Sequence, residues 1–378
     1  MIYVLRFLVL RFSQLRLCTL GFVLASASFS AHASKVPIEA LYIPLADHYA
    51  ALVAHHRYRD RMQHANFSLE QMPNWDLLRA RFQEGRTDMA FVMTPLALDM
   101  YTERPHFRWI GLMHRDGNAL AINERLNHYV QLPAQRRDRI PNDQVAKALK
   151  RAHQERQRAT EIAVPHLLST HTVVLYRYLK EHGLRLDYDT SEDAEVVVVA
   201  TPPSQSPAFL KSSSNRAKFA GFEQSLPWAD VVETQNFGKV AWYSKDVMPW
   251  PKGHVECIAI ASIKTIEQKQ AALKEVMHYI RLAGHDIERA RLVGGKQLDA
   301  IVDIVQTYIP EHTKPAIKAS LSAELDVINY TDLGVDKAGL QQIMGYALEA
   351  GILKQPVDID RFADERFASD RTFAPVTE

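Results

Sequence analysis

Cysteine is nearly missing from this sequence. The 378-residue chain has two, Cys18 and Cys257. Cys18 falls in an N-terminal stretch expected to be removed, which leaves one thiol. One thiol closes no intrachain disulfide, and on the same count no cysteine-based metal centre is expected. An excess of one charge is missing too. Lys and Arg total 45 against 44 Asp and Glu, a net charge of +1, which argues against a dedicated nucleic-acid binder. Beyond the N-terminal stretch, no apolar run approaches the roughly 20 residues that cross a bilayer. The usual catalytic templates are absent: no G-x-S-x-G elbow, Walker loop, G-x-G-x-x-G or H-E-x-x-H. His55 and His56 are adjacent, so on a helix they diverge and do not share a metal. These absences lower the expectation of an enzyme without excluding one, because active sites are defined by geometry.

What is present reads as a globular protein behind a leader. Hydrophobic residues make up 47% and charged residues 24%, which excludes disorder and fibrous structure for most of the chain. The length suits two or three folding units, enough for a core that stands without cross-links. Residues 1–33 read as a secretory signal peptide. Arg6, Arg11 and Arg16 precede an apolar, small-residue run over 17–29, and Ala31-His32-Ala33 supplies the cleavage pattern. Removing three arginines and no acid leaves a slightly negative, secreted, periplasmic product.

Short apolar runs alternate with helical spacing from residue 38 onward. Strands are predicted at 38–43, 67–72, 88–93, 109–113 and 119–123. Helices are predicted at 48–59, from Trp75 to a stop at Gly85, and from Pro95. The alternation predicts a parallel sheet with helices on both faces. The basic segment 127–158 reads as a loop and a solvated helix. A second α/β set follows, with strands at 161–164, 195–200, 219–222 and 238–243. Its first helix is predicted over 169–182, capped by Ser169 or Thr170 and stopped at Gly183. A return strand at 255–261 then gives way to helices at 266–283, 296–308 and 337–350, and Gly294-Gly295 reads as a helix break.

The strand-to-helix junctions are the candidate chemistry: Pro44-Leu45-Ala46-Asp47-His48, Pro73-Asn74-Trp75, Met93-Thr94-Pro95 and Leu168-Ser169-Thr170-His171. Helix N-termini offer unpaired N–H groups and a partial positive charge. Five segments then carry a resemblance: YIPLADHYAALVAHHRYRDR at 42–61, NWDLLRARFQEGRTDMAFVMTPLAL at 74–98, ATEIAVPHLLSTHTVVLYRYLKEHGL at 159–184, GFEQSLPWADVV at 221–232 and GHVECIAIA at 253–261. In order and spacing they resemble the periplasmic substrate-binding proteins of ABC transporters, in the nitrate/bicarbonate/sulfonate group, most of all its nitrate- and bicarbonate-binding branch.

The resemblance implies an α/β type II periplasmic-binding-protein fold. Residues 34–117 and 252–378 would form one lobe and 118–251 the other, with crossovers near Asn118 and Lys245–Lys252. It implies a small-molecule ligand held between the lobes, an inner-membrane ABC permease as partner, a monomer, no nucleic acid and no cofactor. Trp75, His171 and Asn118 match positions that contact the anion. Asp47, His48, Ser169, Thr170 and Glu256 complete the candidate ligand-binding set, with no catalytic residue and no metal ligand among them. Each has a plainer reading: Trp75 and Trp228 as packing residues, His171 as a helix cap, Asn118 as a turn residue. The chain also departs from the branch. Leu226 stands where relatives often carry Glu before Pro-Trp, Glu256-Cys257 where a lysine is usual, and His48 where a small residue is usual. Asp47 and Glu256 facing inward would repel a bare anion unless His48, His171 or His254 were protonated, so a bicarbonate-like, neutral or cationic ligand stays open. Two other functions share the fold: a ligand sensor for a regulator, and a thiamine-pyrimidine-precursor-type binding protein or enzyme.

Overall fold

The computed structural model describes residues 34–189 and 193–368. The leader expected over residues 1–33 lies outside the described residues.

Two sheets organise the chain. The first is built from β1 (Val36–Tyr42), β2 (Ala65–Gln71), β3 (Met89–Met93) and β4 (Phe107–Leu112). After β4 the chain leaves this sheet through a two-residue strand, β5 (Arg115–Asp116). The second sheet is built from β6 (Asn118–Asn123), β7 (Thr160–Val164), β8 (Leu186–Asp187), β9 (Val196–Ala200), β10 (Ala220–Ser225) and β11 (Gly238–Tyr243). The chain then returns to the first sheet as β12 (Cys257–Ser262), and β13 (Ile328–Asn329) pairs with β5. The strand orders are β2-β1-β3-β12-β4 and β11-β6-β10-β7-β9-β8.

Both sheets are mixed, where the alternation predicted parallel ones. β12 runs antiparallel to β3 and β4, and β6 runs antiparallel to β10 and β11. The reason is local to the crossings: β6 and β12 are the first strands laid down after the chain changes sheet, and each enters from the opposite end. The interior strands β3 and β12 are buried at every residue, as apolar runs covered on both faces must be.

The helices follow the sequence with instructive exceptions. Trp75–Gln83 starts at an Asn74 cap, and Thr170–Glu181 starts at Ser169, whose side chain accepts from the Thr172 amide. Gly85 and Gly183 follow these helices with φ of 74° and 68°, the left-handed conformation that costs glycine least. The helix expected to end at 283 instead runs from Gln270 to Val293, after a separate turn at Ile263–Gln268. Gly284 does not stop it, because a side chain there would stand 2.8 Å from the Tyr330 carbonyl oxygen. The glycine permits close approach. The short helix Lys314–Ser320 has too few residues to show a period. The basic segment is also less solvated than its charge suggests. Arg139 is buried, donating to both Glu233 oxygens at 2.7 and 2.9 Å and to the Val240 carbonyl at 2.6 Å. Arg136 pairs with the buried Asp230. Within the Asp143–Arg156 helix, Lys147 and Arg151 remain exposed, as expected.

The C-terminal helices complete the first sheet. Glu275, on the long helix, accepts from three successive amides, Gln63, His64 and Ala65, at 2.6–2.9 Å. That fixes the start of β2. The crossings lie side by side: Asp116 N–H donates to His254 O at 3.1 Å, and His254 N–H donates to the Asp116 carboxylate at 2.9 Å. Where the two sheets' carboxyl ends meet, the backbone touches directly. Ala46 N–H donates to Leu226 O at 2.8 Å, and the Trp228 indole donates to Pro44 O at 3.2 Å. Trp228 is therefore occupied in packing.

Two glycine substitutions separate close approach from helix propensity. Gly284→Ala is expected to destabilise by about 1–3 kcal/mol, because the methyl meets backbone. Gly345→Ala, with open space around it, is expected to stabilise by about 0.5–1 kcal/mol. Urea unfolding of the two variants against the parent checks both signs.

Candidate functional site

Seven polar side chains meet where the strand ends of the two sheets face each other, the usual location for a ligand in such sheets. Asp47 and His48 sit in a single 3-10 turn after β1. His114 follows β4 at the start of the outgoing crossing. Glu256 and Cys257 lie at the re-entry into β12. From the second sheet come Ser225, the last residue of β10, and His171, the second residue of the Thr170–Glu181 helix. Every one is fully buried.

His114 is the centre of the charge. Its Nε2 stands 3.1 Å from Glu256 Oε2 and 3.5 Å from Asp47 Oδ2. Burial alone would push its pKa down, but the two carboxylates override this and hold it at about 10. Burial likewise raises Asp47, yet His114 pulls it below the usual carboxylate range. Glu256, raised first by burial and then by Asp47, lies at about 7. His48, His171 and His254 go the other way. Burial lowers them to about 4, 3 and 3, so they stay neutral. Held neutral, these three histidines do not supply the positive charge that a bare anion beside Asp47 and Glu256 would need. The cation is His114, and two carboxylates already share it.

The proton positions can be traced. Ser225 Oγ–H donates to Asp47 Oδ2 at 2.9 Å. His171 Nε2, 2.8 Å from Ser225 Oγ, must then donate to that hydroxyl oxygen. That leaves His171 Nδ1 as a bare lone pair, 3.4 Å from Glu256 Oε1. Among the described residues neither of these atoms has a hydrogen-bond partner, and Asp47 Oδ1 also lacks one. Buried polar groups in proteins are normally paired, so this is a local concentration of unmet acceptors. His48 is better served: its Nδ1–H donates to Ile43 O at 2.7 Å, and its Nε2 then accepts from the Cys257 thiol at 3.3 Å.

The remaining expected site residues divide. Asn118 opens β6, and its amide faces Glu256 closely enough to lower that carboxyl's pKa. Thr170 Oγ1 donates to the Glu256 carbonyl at 3.4 Å. Ser169 is taken up as the helix cap. Trp75 is buried edge-on against His48, ring centres 6.2 Å apart, with its indole nitrogen unpartnered. His254 turns toward Asp116 at 3.5 Å. His114 and Ser225 were not singled out by sequence reasoning. His114 opens His114-Arg115-Asp116-Gly117-Asn118, which reads as a turn, and Ser225 lies unmarked inside GFEQSLPW. A lone thiol cannot form a disulfide here, yet one ligand atom each from Asp47, His114, Glu256 and Cys257 lies within 4.8 Å of the others. The expectation of no cysteine-based metal centre rests on the cysteine count, which does not register mixed donor sets.

The charge arrangement has a pH signature. His114 has a folded pKa of about 10 against about 6.5 unfolded. Its contribution is therefore complete below pH 6.5 and is lost as pH rises toward 10. From pH 7.5 to 8.5, unfolding free energy is expected to fall by about 1 kcal/mol. His114→Gln should flatten most of that slope and cost about 3–5 kcal/mol at pH 7, since it leaves two carboxylates facing each other. Urea titrations at both pH values test this, and a level wild-type profile would refute it.

Residues 32–291 match the model of the NMT1-like family. No curated protein sequence matches the chain. Among solved structures, the chain is similar to the ligand-binding component of an ABC-type import system from Staphylococcus aureus with zinc bound. Identity is 18%, coverage is 89% of this chain and 99% of that one, and the TM-score is 0.68. It is similar to the periplasmic nitrate-binding protein NrtA from Synechocystis at 14% identity, covering 88% and 87%, with a TM-score of 0.70. It is also similar to the desulfurization enzyme DSZB at 12% identity, covering 88% and 98%, with a TM-score of 0.54. The chain therefore belongs to the NMT1-like family and has the periplasmic-binding-protein fold.

Proposed function

We propose that this protein is the periplasmic solute-binding component of an ABC transporter, capturing a small solute between two lobes and delivering it to an inner-membrane permease. The observation that carries this reading is the buried polar cluster at the facing strand ends, with acceptors unmet by any described residue: Asp47 Oδ1, Glu256 Oε1 and His171 Nδ1. Residues 34–117 with 252–378, and residues 118–251, would act as the lobes. The paired crossings around Arg115–Asp116 and His254–Val255 would be the hinge. Closure would bury the solute in a shape that a permease reads. No covalent step is involved. Export behind a cleaved leader and a monomeric state go with the reading.

The cluster's chemistry ranks the solutes. Every ionic partner of Asp47 and Glu256 among the described residues is a histidine. The unmet atoms are mainly acceptors, so the solute should bring donors. Of the two anions that the sequence resemblance implies, bicarbonate carries an O–H and nitrate none. Bicarbonate, or a neutral or cationic solute with N–H groups, fits better. An enzymatic reading has one feature in its favour, the Ser225–His171–Glu256 order of hydroxyl, imidazole and acid. Against it, Ser225 already donates to Asp47 and His171 is held neutral at about 3, which makes a poor base.

A thermal-shift screen tests the proposal, using nitrate, bicarbonate, an alkanesulfonate, urea and a pyrimidine. A solute at 100 times its Kd is expected to stabilise by about 2.7 kcal/mol. Asp47→Asn and His171→Ala should abolish the shift. A screen with no stabilising solute, or turnover of one, would overturn the receptor reading.

A further inference from the structure

The acceptor-rich cluster matches a second kind of occupant. Asp47, His114, Glu256 and Cys257 each offer one ligand atom, all within 4.8 Å of one another and all buried. Ligand atoms around a tetrahedral zinc stand about 3.3–3.8 Å apart. The contacts of His114 Nε2 to the two carboxylates, 3.1 and 3.5 Å, already lie close to that spacing. Two further observations point to a missing cation. Asp47 Oδ1 and Glu256 Oε1 are buried without a partner. His171 Nδ1, left as a lone pair by its donation to Ser225, faces Glu256 Oε1 at 3.4 Å with no proton assigned between them. Lone pairs converge there, while the His114 cation faces the other oxygen of each carboxylate, Asp47 Oδ2 and Glu256 Oε2.

We infer that Asp47, His114, Glu256 and Cys257 form a binding site for a divalent transition-metal ion of the zinc type. The donor set selects the metal class. A thiol and an imidazole are poor ligands for calcium and magnesium, which take oxygen, whereas mixed S, N and O donors suit zinc, cobalt and their neighbours. Binding displaces the thiol proton of Cys257 and the Nε2 proton of His114, and both leave to solvent. The surroundings are arranged for that exchange. His48 Nε2 accepts from the thiol, while its Nδ1 is tied to Ile43 O. Ser225 orients Asp47 through Oδ2. Such outer partners fix ligand geometry in metal sites. His171 Nδ1 stands beside the set as the position through which the second sheet would sense the ion. The inference builds on the cluster being a binding centre but does not depend on transport.

Cobalt(II) is the probe. Full-length protein in a Cys18→Ser background, so that Cys257 is the only thiol, is stripped with chelator and titrated. The expected result is one equivalent bound, intense tetrahedral ligand-field absorption and a thiolate-to-cobalt charge-transfer band in the near ultraviolet. Cys257→Ser should remove the charge-transfer band and weaken zinc binding at least about 100-fold, and His48→Asn should weaken it about 10-fold. Saturating cobalt without the charge-transfer band in the parent overturns the inference and needs no variant to fold. Unchanged zinc affinity in a folded Cys257→Ser protein also overturns it, because the ion is then held elsewhere, as by surface histidines. The solute screen is repeated with and without chelator. A solute shift in stripped protein together with a null cobalt spectrum defeats the metal site and leaves the receptor reading standing. The cobalt spectrum without any solute shift does the reverse.

Discussion

Two carboxylates and one imidazole share the point at which the chain crosses between its sheets. Asp47 comes from the end of the first strand, Glu256 from the return crossing and His114 from the outgoing one. Without His114, burial would drive both carboxylates toward their neutral forms. With it, Asp47 is held ionised and Glu256 sits near neutrality. The surrounding architecture depends on this balance. Ser225 lies against Asp47 because Asp47 is a good acceptor, and His171 is oriented by Ser225. The contact of the second sheet's strand ends with the first is thus partly written in hydrogen bonds that start from one charged imidazole.

The other histidines show why residue type alone does not define an anion site. His48, His171, His254 and His312 are buried deeply enough to stay neutral to pH values of about 3–4. Each serves as a hydrogen-bonding ring. A neutral imidazole offers a lone pair as readily as an N–H, and here the tautomers of His48 and His171 turn lone pairs inward. A cluster of histidines that looks positive in sequence is therefore, apart from His114, a cluster of neutral hydrogen-bonding rings.

Much of the fold was legible before the structure. The apolar runs at 38–43, 67–72, 88–93 and 238–243 have the right length for strands, and the caps at Asn74 and Ser169 are local signals that tertiary contacts did not override. Strand direction was not legible, because it depends on which end of a sheet the chain re-enters. The helix expected over 266–283 was cut short at Gly284, because a sequence does not show that this glycine lies against the Tyr330 backbone. At the site, Asp47, His171, Asn118 and Glu256 were found through their junctions and their resemblance. His114 and Ser225 were not, since each becomes special only through partners distant in the sequence: Asp47 and Glu256 for His114, Asp47 and His171 for Ser225. Cys257 was dismissed by counting cysteines, a test that recognises sites built from one residue type and is blind to mixed ones.

The placement of β12 between β3 and β4 has a consequence for the order of assembly. Until residues 257–262 have been made, the first sheet has a gap at its centre, and β3 and β4 have no hydrogen-bonding neighbour between them. The second sheet needs only residues 118–243, a contiguous stretch. A chain emerging from its N-terminus can therefore finish the later unit while the earlier one is still open, and the last strand of the first sheet to be made carries Cys257 and follows directly on Glu256. The polar centre is then completed by the same event that closes the fold, so a molecule with an unassembled centre is also one with an unfinished core.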